Sequence, residues 1–173
     1  MQALAYWKAV TQDRSDFLDE FLALLVDSGI RYAVIGGQGV NAYAEPLVSL
    51  DLDVAVATED LDRVESLLSE RFRVEQFPHS INVNADGSQL RVQLQTDSRY
   101  AAFVPRAEPR EVLGVTLQVA AVEDVLQGKI WAFLDETRRA TKRQKDLADI
   151  GRLIEAYPHL RARVPGEVLN RLV

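Results

Sequence analysis

The chain contains no cysteine, which excludes disulfides and cysteine-ligated zinc. It also lacks any apolar run approaching the ~20 residues of a membrane span. Its first residues, MQALAYWKAVTQD, do not lead a basic segment into an apolar one, so they do not read as a secretion signal, and the cytoplasm is the expected location. Histidine is scarce: His79 and His159 stand apart, without metal-ligand spacing to each other. No P-loop, Ser-His-Asp arrangement, internal repeat or low-complexity linker is readable. Positive charge is in the minority, with 20 Lys and Arg against 26 Asp and Glu and a net charge of −6. That balance argues against a surface generally coated for nucleic acid, while a local basic patch remains compatible with RNA.

What is present is ordinary for a soluble domain: 173 residues, 47% hydrophobic and 27% charged, enough to bury a sizeable core. Helical spacing of Phe17, Phe21, Leu24 and Leu25 predicts a helix over 16–28, capped by Ser15 or Asp13 and stopped by Gly29; a shorter helix is expected over 3–10. A strand over 32–35 runs into Gly36 and Gly37, a short helix follows over about 38–44, and Pro46 breaks the chain before a second strand. Thr58 reads as the N-cap of a helix over 59–72, with Leu61, Val64, Leu67 and Leu68 inward. This strand-helix-strand-helix opening predicts an α/β core. A short strand over 73–76 precedes a hairpin, 80–84 and 89–95, around Ala85-Asp86-Gly87-Ser88. Residues 100–109 read as loop and 112–119 as a strand interrupted by Gly114. Helices are expected over 122–137 and 142–157, with a small tail element over 166–172.

The second strand carries the chemistry. Side chains alternate along a strand, so Asp51 and Asp53 share one face while Leu52, Val54 and Val56 take the other. Two carboxylates side by side repel unless a cation sits between them, and a hard cation such as Mg²⁺, completed by water and a substrate phosphate, suits the pair. The bland reading is of strand-edge acids that discourage aggregation. Gly36 and Gly37 tip the balance, because they let the backbone turn tightly and approach a bound group ahead of a helix N-terminus, a favourable place for phosphate. Ser49, just upstream on the same side, either hydrogen-bonds a phosphate or simply starts the strand.

The order hydrophobic-Gly36-Gly37, 13 intervening residues, then Asp51-Leu52-Asp53 resembles the signature of the polymerase-beta-type nucleotidyltransferases. Within that superfamily the chain looks most like the small bacterial enzymes of the AbiEii toxin type and their lincosamide- and aminoglycoside-modifying relatives. The resemblance implies a nucleotidyltransferase-like mixed sheet flanked by helices (α/β, or α+β), with a core over 1–120 and a helical segment over 121–173 packed on it. It further implies an NTP substrate with Mg²⁺ or Mn²⁺, Asp51 and Asp53 as metal ligands, and transfer of NMP to a hydroxyl of RNA or protein. An antitoxin partner is part of the same implication; a membrane partner is not.

Two departures stand against that pattern. Relatives carry a third carboxylate in a stretch like R-V-D-L, where this chain reads Arg91-Val92-Gln93-Leu94. A glutamine offers a carbonyl oxygen but cannot act as a general base. Asp97 could substitute if the strand extends that far. Relatives also often place an arginine where Leu47 stands. Both favour a second reading, a catalytically impaired nucleotide- or partner-binding protein of the same fold; a third is a small-molecule (antibiotic) nucleotidyltransferase.

Downstream, Lys129 falls within the apolar stripe Val122, Val125, Leu126, Ile130 and Phe133, so it must snorkel, pair with an acid or reach a cavity. The resemblance places such a lysine on the triphosphate. Lys145-Asp146-x-x-Asp149 matches a further stretch of the family, and Asp146 either pairs with or orients Lys129 beside the nucleotide or simply flanks a surface helix. The run Arg138, Arg139, Lys142, Arg143 and Lys145 reads as a solvated helix junction or a phosphate-receiving patch. Trp7, Trp131 and the tyrosines read as core and rim.

Overall fold

The computed structural model describes residues 2–11 and 16–172, so the candidate caps Asp13 and Ser15 lie outside the described residues. Seven strands form one mixed sheet: β1 (Tyr32–Ile35), β2 (Asp51–Val56), β3 (Arg73–Phe77), β4 (Ser80–Asn84), β5 (Arg91–Gln95), β6 (Glu108–Val112) and β7 (Val115–Val119). They lie in the order β3-β4-β5-β2-β1-β7-β6. The β2–β5 and β1–β7 pairs are parallel and the others antiparallel.

The helices are α1 (Gln2–Thr11), α2 (Phe17–Asp27), α3 (Gly36–Asn41), α4 (Leu61–Ser69), α5 (Ser98–Ala101), α6 (Val122–Leu134), α7 (Ala140–Ala156) and α8 (Gly166–Leu169). Two hydrophobic layers sandwich the sheet. On one face α1, α2 and α4 bury Trp7, Phe17, Phe21, Val64 and Leu68 against Leu52, Val54 and Val56. On the other, α3, α6 and α7 bury Val40, Val125, Leu126, Ile130, Ile150 and Leu153 against Ala33, Ile35 and Ala55. The period-two alternation of β2 thus sends its aliphatic residues to the first layer and Asp51 and Asp53 to the second.

Four expectations change. Thr58 does not cap: a 3-10 turn over Thr58–Asp60 precedes α4, which starts only at Leu61 and has no side-chain cap. The expected loop over 100–109 contains two short helical turns and the start of β6, an edge strand that tolerates Pro109 because it has a ladder neighbour on one side only. Gly114 is not an interruption within one strand. Leu113 and Gly114, at φ 51° and 83°, form the tight turn joining β6 to β7, with the positive dihedrals that match hairpin twist. Finally, α3 begins at Gly36 itself rather than at Gln38.

Candidate active site

A cavity of about 460 Å³ opens on the α6/α7 face of the sheet. Of the residues singled out for chemistry in the sequence, Asp149, Arg139 and Arg143 do not line it, while Gly36, Gly37, Ser49, Asp51, Asp53, Lys129 and Asp146 do. Gln93 is there too, and the strand register fixes its place. On parallel β2 and β5, Asp53 stands opposite Gln93 and Asp51 opposite Arg91. The position at which the resemblance leads one to expect a third carboxylate therefore holds an amide. Asp97 does not replace it, because β5 ends at Gln95 and Asp97 instead caps α5, accepting from the Arg99 amide at 3.0 Å and pairing with the Arg99 guanidinium.

Asp53 owes its position to Gly36. A Cβ on Gly36 would lie 2.2 Å from Asp53 Oδ2, and the residue sits at φ +64°, so any side chain would meet both a clash and backbone strain. The carboxylate thus lies directly against backbone at the strand-to-helix turn. Burial pushes its carboxyl up to about 6 against the pull of the Lys129 charge, and the neighbouring Asp51 adds to the rise. Asp51 is more open and shares its Oδ1 with Arg91 Nε at 2.7 Å.

Lys129 is almost fully buried and held between two acids, 3.0 Å from Asp146 Oδ1 and 2.8 Å from Asp149 Oδ2. Burial opposes its charge, but Asp149 and Asp146 outweigh burial and raise its pKa above the ordinary lysine value. Asp146 also accepts from Arg138 Nε at 2.7 Å, and Asp149 from Arg152 Nη1 at 2.9 Å. Three cations thus surround two carboxylates, leaving an excess positive charge behind the cavity. Of the alternatives open for Lys129, the structure realises pairing with acids at a cavity wall.

Further residues complete the wall. Arg138, Lys142 and Lys145, from the run read as a helix junction or a phosphate-receiving patch, line the cavity, and the first two act electrostatically on Asp53. His79, read as isolated, lines it too. Trp131, read as core or rim, packs against the second layer and lines the cavity: Phe103 stacks on it at 5.6 Å and the Arg99 guanidinium lies 4.4 Å from the ring centroid. Tyr100 packs edge-on to Trp131, and burial pushes its hydroxyl up to about 12, so it keeps its proton. The turns that bring Arg99 and Trp131 together join segments distant in sequence, and no local pattern announces them.

The donor set fits a hard divalent cation: two carboxylates on one strand face, one of them pushed toward protonation by burial, with an amide oxygen available opposite. Among the described residues no group of three or more His, Cys, Asp or Glu side chains converges as a metal cluster.

No protein-family model matches the sequence, and no curated protein matches it. Solved structures do. The antibiotic-resistance factor ANT(2″)-Ia, in complex with adenylyl-2″-tobramycin, superposes with a TM-score of 0.55 at 12% identity, over 85% of this chain and 96% of that one. The lincosamide antibiotic adenylyltransferase LnuA, lincomycin-bound, gives 0.54 at 12% identity, over 82% and 99%. The likeness is one of fold, and this chain has the nucleotidyltransferase-like α/β fold. No helix is long and apolar enough to cross a membrane among the described residues.

Proposed function

We propose that the chain is a metal-dependent nucleotidyltransferase, moving NMP from an NTP to a hydroxyl acceptor. The observation that carries this reading is the juxtaposition of Asp51 with Asp53, the latter seated against the side-chain-free backbone of Gly36, and of both with the cationic wall of Arg138, Lys142 and Lys145. Asp51 and Asp53 would hold Mg²⁺ or Mn²⁺, which supplies charge neutralisation at the transferring phosphate. Gly36 and Gly37 leave the backbone open to the triphosphate, and Ser49 stands at the same wall. Arg138, Lys142 and Lys145 meet its negative charge. Lys129, held by Asp146, adds positive potential from behind. The acceptor hydroxyl forms a bond to the α-phosphorus as the α–β bridging bond breaks; pyrophosphate leaves and the hydroxyl proton passes to solvent. This chemistry depends on positioning and charge more than on a strong base, which suits a site with Gln93 where an acid would stand. The acceptor in this reading is an RNA or protein hydroxyl, in keeping with a toxin-type enzyme paired with an antitoxin.

Gln93 opposite Asp53 favours a second reading, a nucleotide-binding protein with impaired turnover. Transfer of α-labelled nucleotide from each of the four NTPs, with Mg²⁺ or Mn²⁺, onto total RNA, onto the protein itself and onto aminoglycoside or lincosamide acceptors separates them. Label lost in Asp51→Ala/Asp53→Ala supports the enzyme and identifies its acceptor. Label only from Gln93→Asp means a retired site. Silence from both sinks the transferase reading.

A further inference from the structure

The loop between α3 and β2 leads Ser49 and Asp51 to the cavity; Tyr43 and Ala44 pack at its start, but Leu47 and Val48 are largely exposed, so apolar packing does not hold the stretch nearest the cavity. Its backbone is held instead by two nearly buried side chains of α3 spaced three apart, Gln38 and Asn41. Asn41 Nδ2 donates to the Leu47 carbonyl at 2.8 Å, and the Leu47 amide donates back to Asn41 Oδ1 at 2.9 Å. The same Nδ2 donates to Gln38 Oε1 at 2.8 Å, and Gln38 Nε2 reaches the Ser49 carbonyl at 3.3 Å. Arg152 Nη2 donates to Asn41 Oδ1 at 3.3 Å and to the Glu45 carbonyl. Both donors and both acceptor directions of the Asn41 amide are used, so its orientation is fixed by its partners. Ser49 Oγ in turn accepts from the Asp51 amide at 3.2 Å.

The outer end of this chain is anchored in the buried charge cluster. Arg152 binds Asp149, Asp149 binds Lys129, Lys129 binds Asp146, and Asp146 binds Arg138 at the opposite wall. The carboxylate side and the cationic side of the cavity are thus tied to one continuous polar network, running from Leu47 to Arg138.

We propose that Asn41, steadied by Arg152, is a positioning residue that sets the loop carrying Ser49 and Asp51 relative to the cationic wall. The proposal rests on the nucleotidyltransferase reading for its functional consequence, but not for the clamp itself. Asn41 touches no reacting atom in this scheme; it acts through the loop backbone.

Two readouts test it in the full chain: amide hydrogen exchange at Leu47 and at Val54, and Mn²⁺-dependent binding of each NTP by calorimetry. Asn41→Ala should raise Leu47 exchange at least about tenfold while leaving Val54 in β2 protected, and should weaken NTP binding by about tenfold, the scale of one well-made buried hydrogen bond. Asn41→Asp keeps Oδ1 as acceptor but sets an oxygen against the Leu47 carbonyl and Gln38 Oε1, so it too should raise Leu47 exchange. Arg152→Gln, at the less buried end of the network, provides the same test if Asn41→Ala fails to fold, with a smaller rise in Leu47 exchange expected. Unchanged Leu47 exchange in Asn41→Ala, or in Arg152→Gln where only that variant folds, overturns the clamp. Lost Leu47 protection with unchanged NTP affinity overturns the positioning role but keeps the nucleotide reading. Absence of NTP binding by the native chain, with Leu47 still deprotected in Asn41→Ala, overturns the nucleotide reading and the positioning role with it, and leaves a purely structural clamp.

Discussion

Both faces of the sheet are packed with hydrocarbon, but only one of them also buries a network of polar and charged side chains. Against α1, α2 and α4 the core is hydrocarbon, with Phe17, Phe21, Leu25, Leu52 and Leu68 essentially removed from solvent. Against α3, α6 and α7 the same sheet meets buried Gln38, Asn41, Lys129, Asp146 and Asp149, with Asp53 at the cavity floor. Among the described residues, Thr11 is the one buried polar side chain outside this second face and its cavity. Both faces supply hydrophobic driving force, but the second also holds charges whose burial is costly unless each has a partner.

Substitutions on the two faces should therefore fail for different reasons. Phe21→Ala, which leaves a cavity in the apolar layer, should lower unfolding free energy by roughly 3–5 kcal/mol in urea titrations at any pH near neutrality. Lys129→Ala should cost a similar amount, roughly 3–5 kcal/mol, by leaving Asp146 and Asp149 buried without their shared cation. Because its partners raise the folded pKa of Lys129, the stability it contributes is lost as pH rises past the ordinary lysine value, so the deficit of Lys129→Ala should shrink in strongly alkaline solution, a dependence that Phe21→Ala must lack. If both variants show the same pH profile, the contrast between the faces fails.

Asp53→Asn should go the other way. The folded carboxyl titrates at about 6 against an ordinary 3.8, so between those values the folded state holds a proton that the unfolded state has released. Stability contributed by this group therefore falls as pH rises from about 4 to 6 and stays low above. Removing the charge should stabilise the metal-free protein at pH 7 by up to roughly 3 kcal/mol, with no gain at pH 3.5. Paired urea titrations at the two pH values decide it. The smallest effect belongs to Arg91→Ala: its ion pair with Asp51 is exposed and should contribute under about 1 kcal/mol, read as a thermal shift that disappears in high salt.

The contrast was partly legible in the sequence. Asp51, Asp53, Leu52 and Val54 declare the two faces of β2 by alternation, and Gly36-Gly37 marks the turn, because these signals are local and periodic. The lysine inside the apolar stripe of α6 announced a buried charge, and the spacing of Asp146 suggested its partner. What stayed hidden depends on tertiary contact. Gln38 and Asn41 are two polar residues on a short helix, and nothing in their spacing reveals the loop they hold. For Arg138, Lys142 and Lys145 the sequence leaves open a solvated junction or a phosphate-receiving patch, and only the fold of α6 and α7 over the sheet brings them to the cavity. Trp131 becomes cavity wall only when α5 brings Arg99 across it. Strand β6 was missed because Pro109 and a mostly exposed side-chain pattern conceal an edge strand.

The central claim is that the polar face is a metal-nucleotide site organised on Asp51 and Asp53. Its most direct test is Mn²⁺ binding by electron paramagnetic resonance, with and without NTP, in the native chain and in Asp53→Asn. The account predicts binding by the native chain that NTP strengthens and that Asp53→Asn removes while remaining folded. Equal Mn²⁺ binding by the two proteins, or none by either in the presence of every NTP, would contradict it.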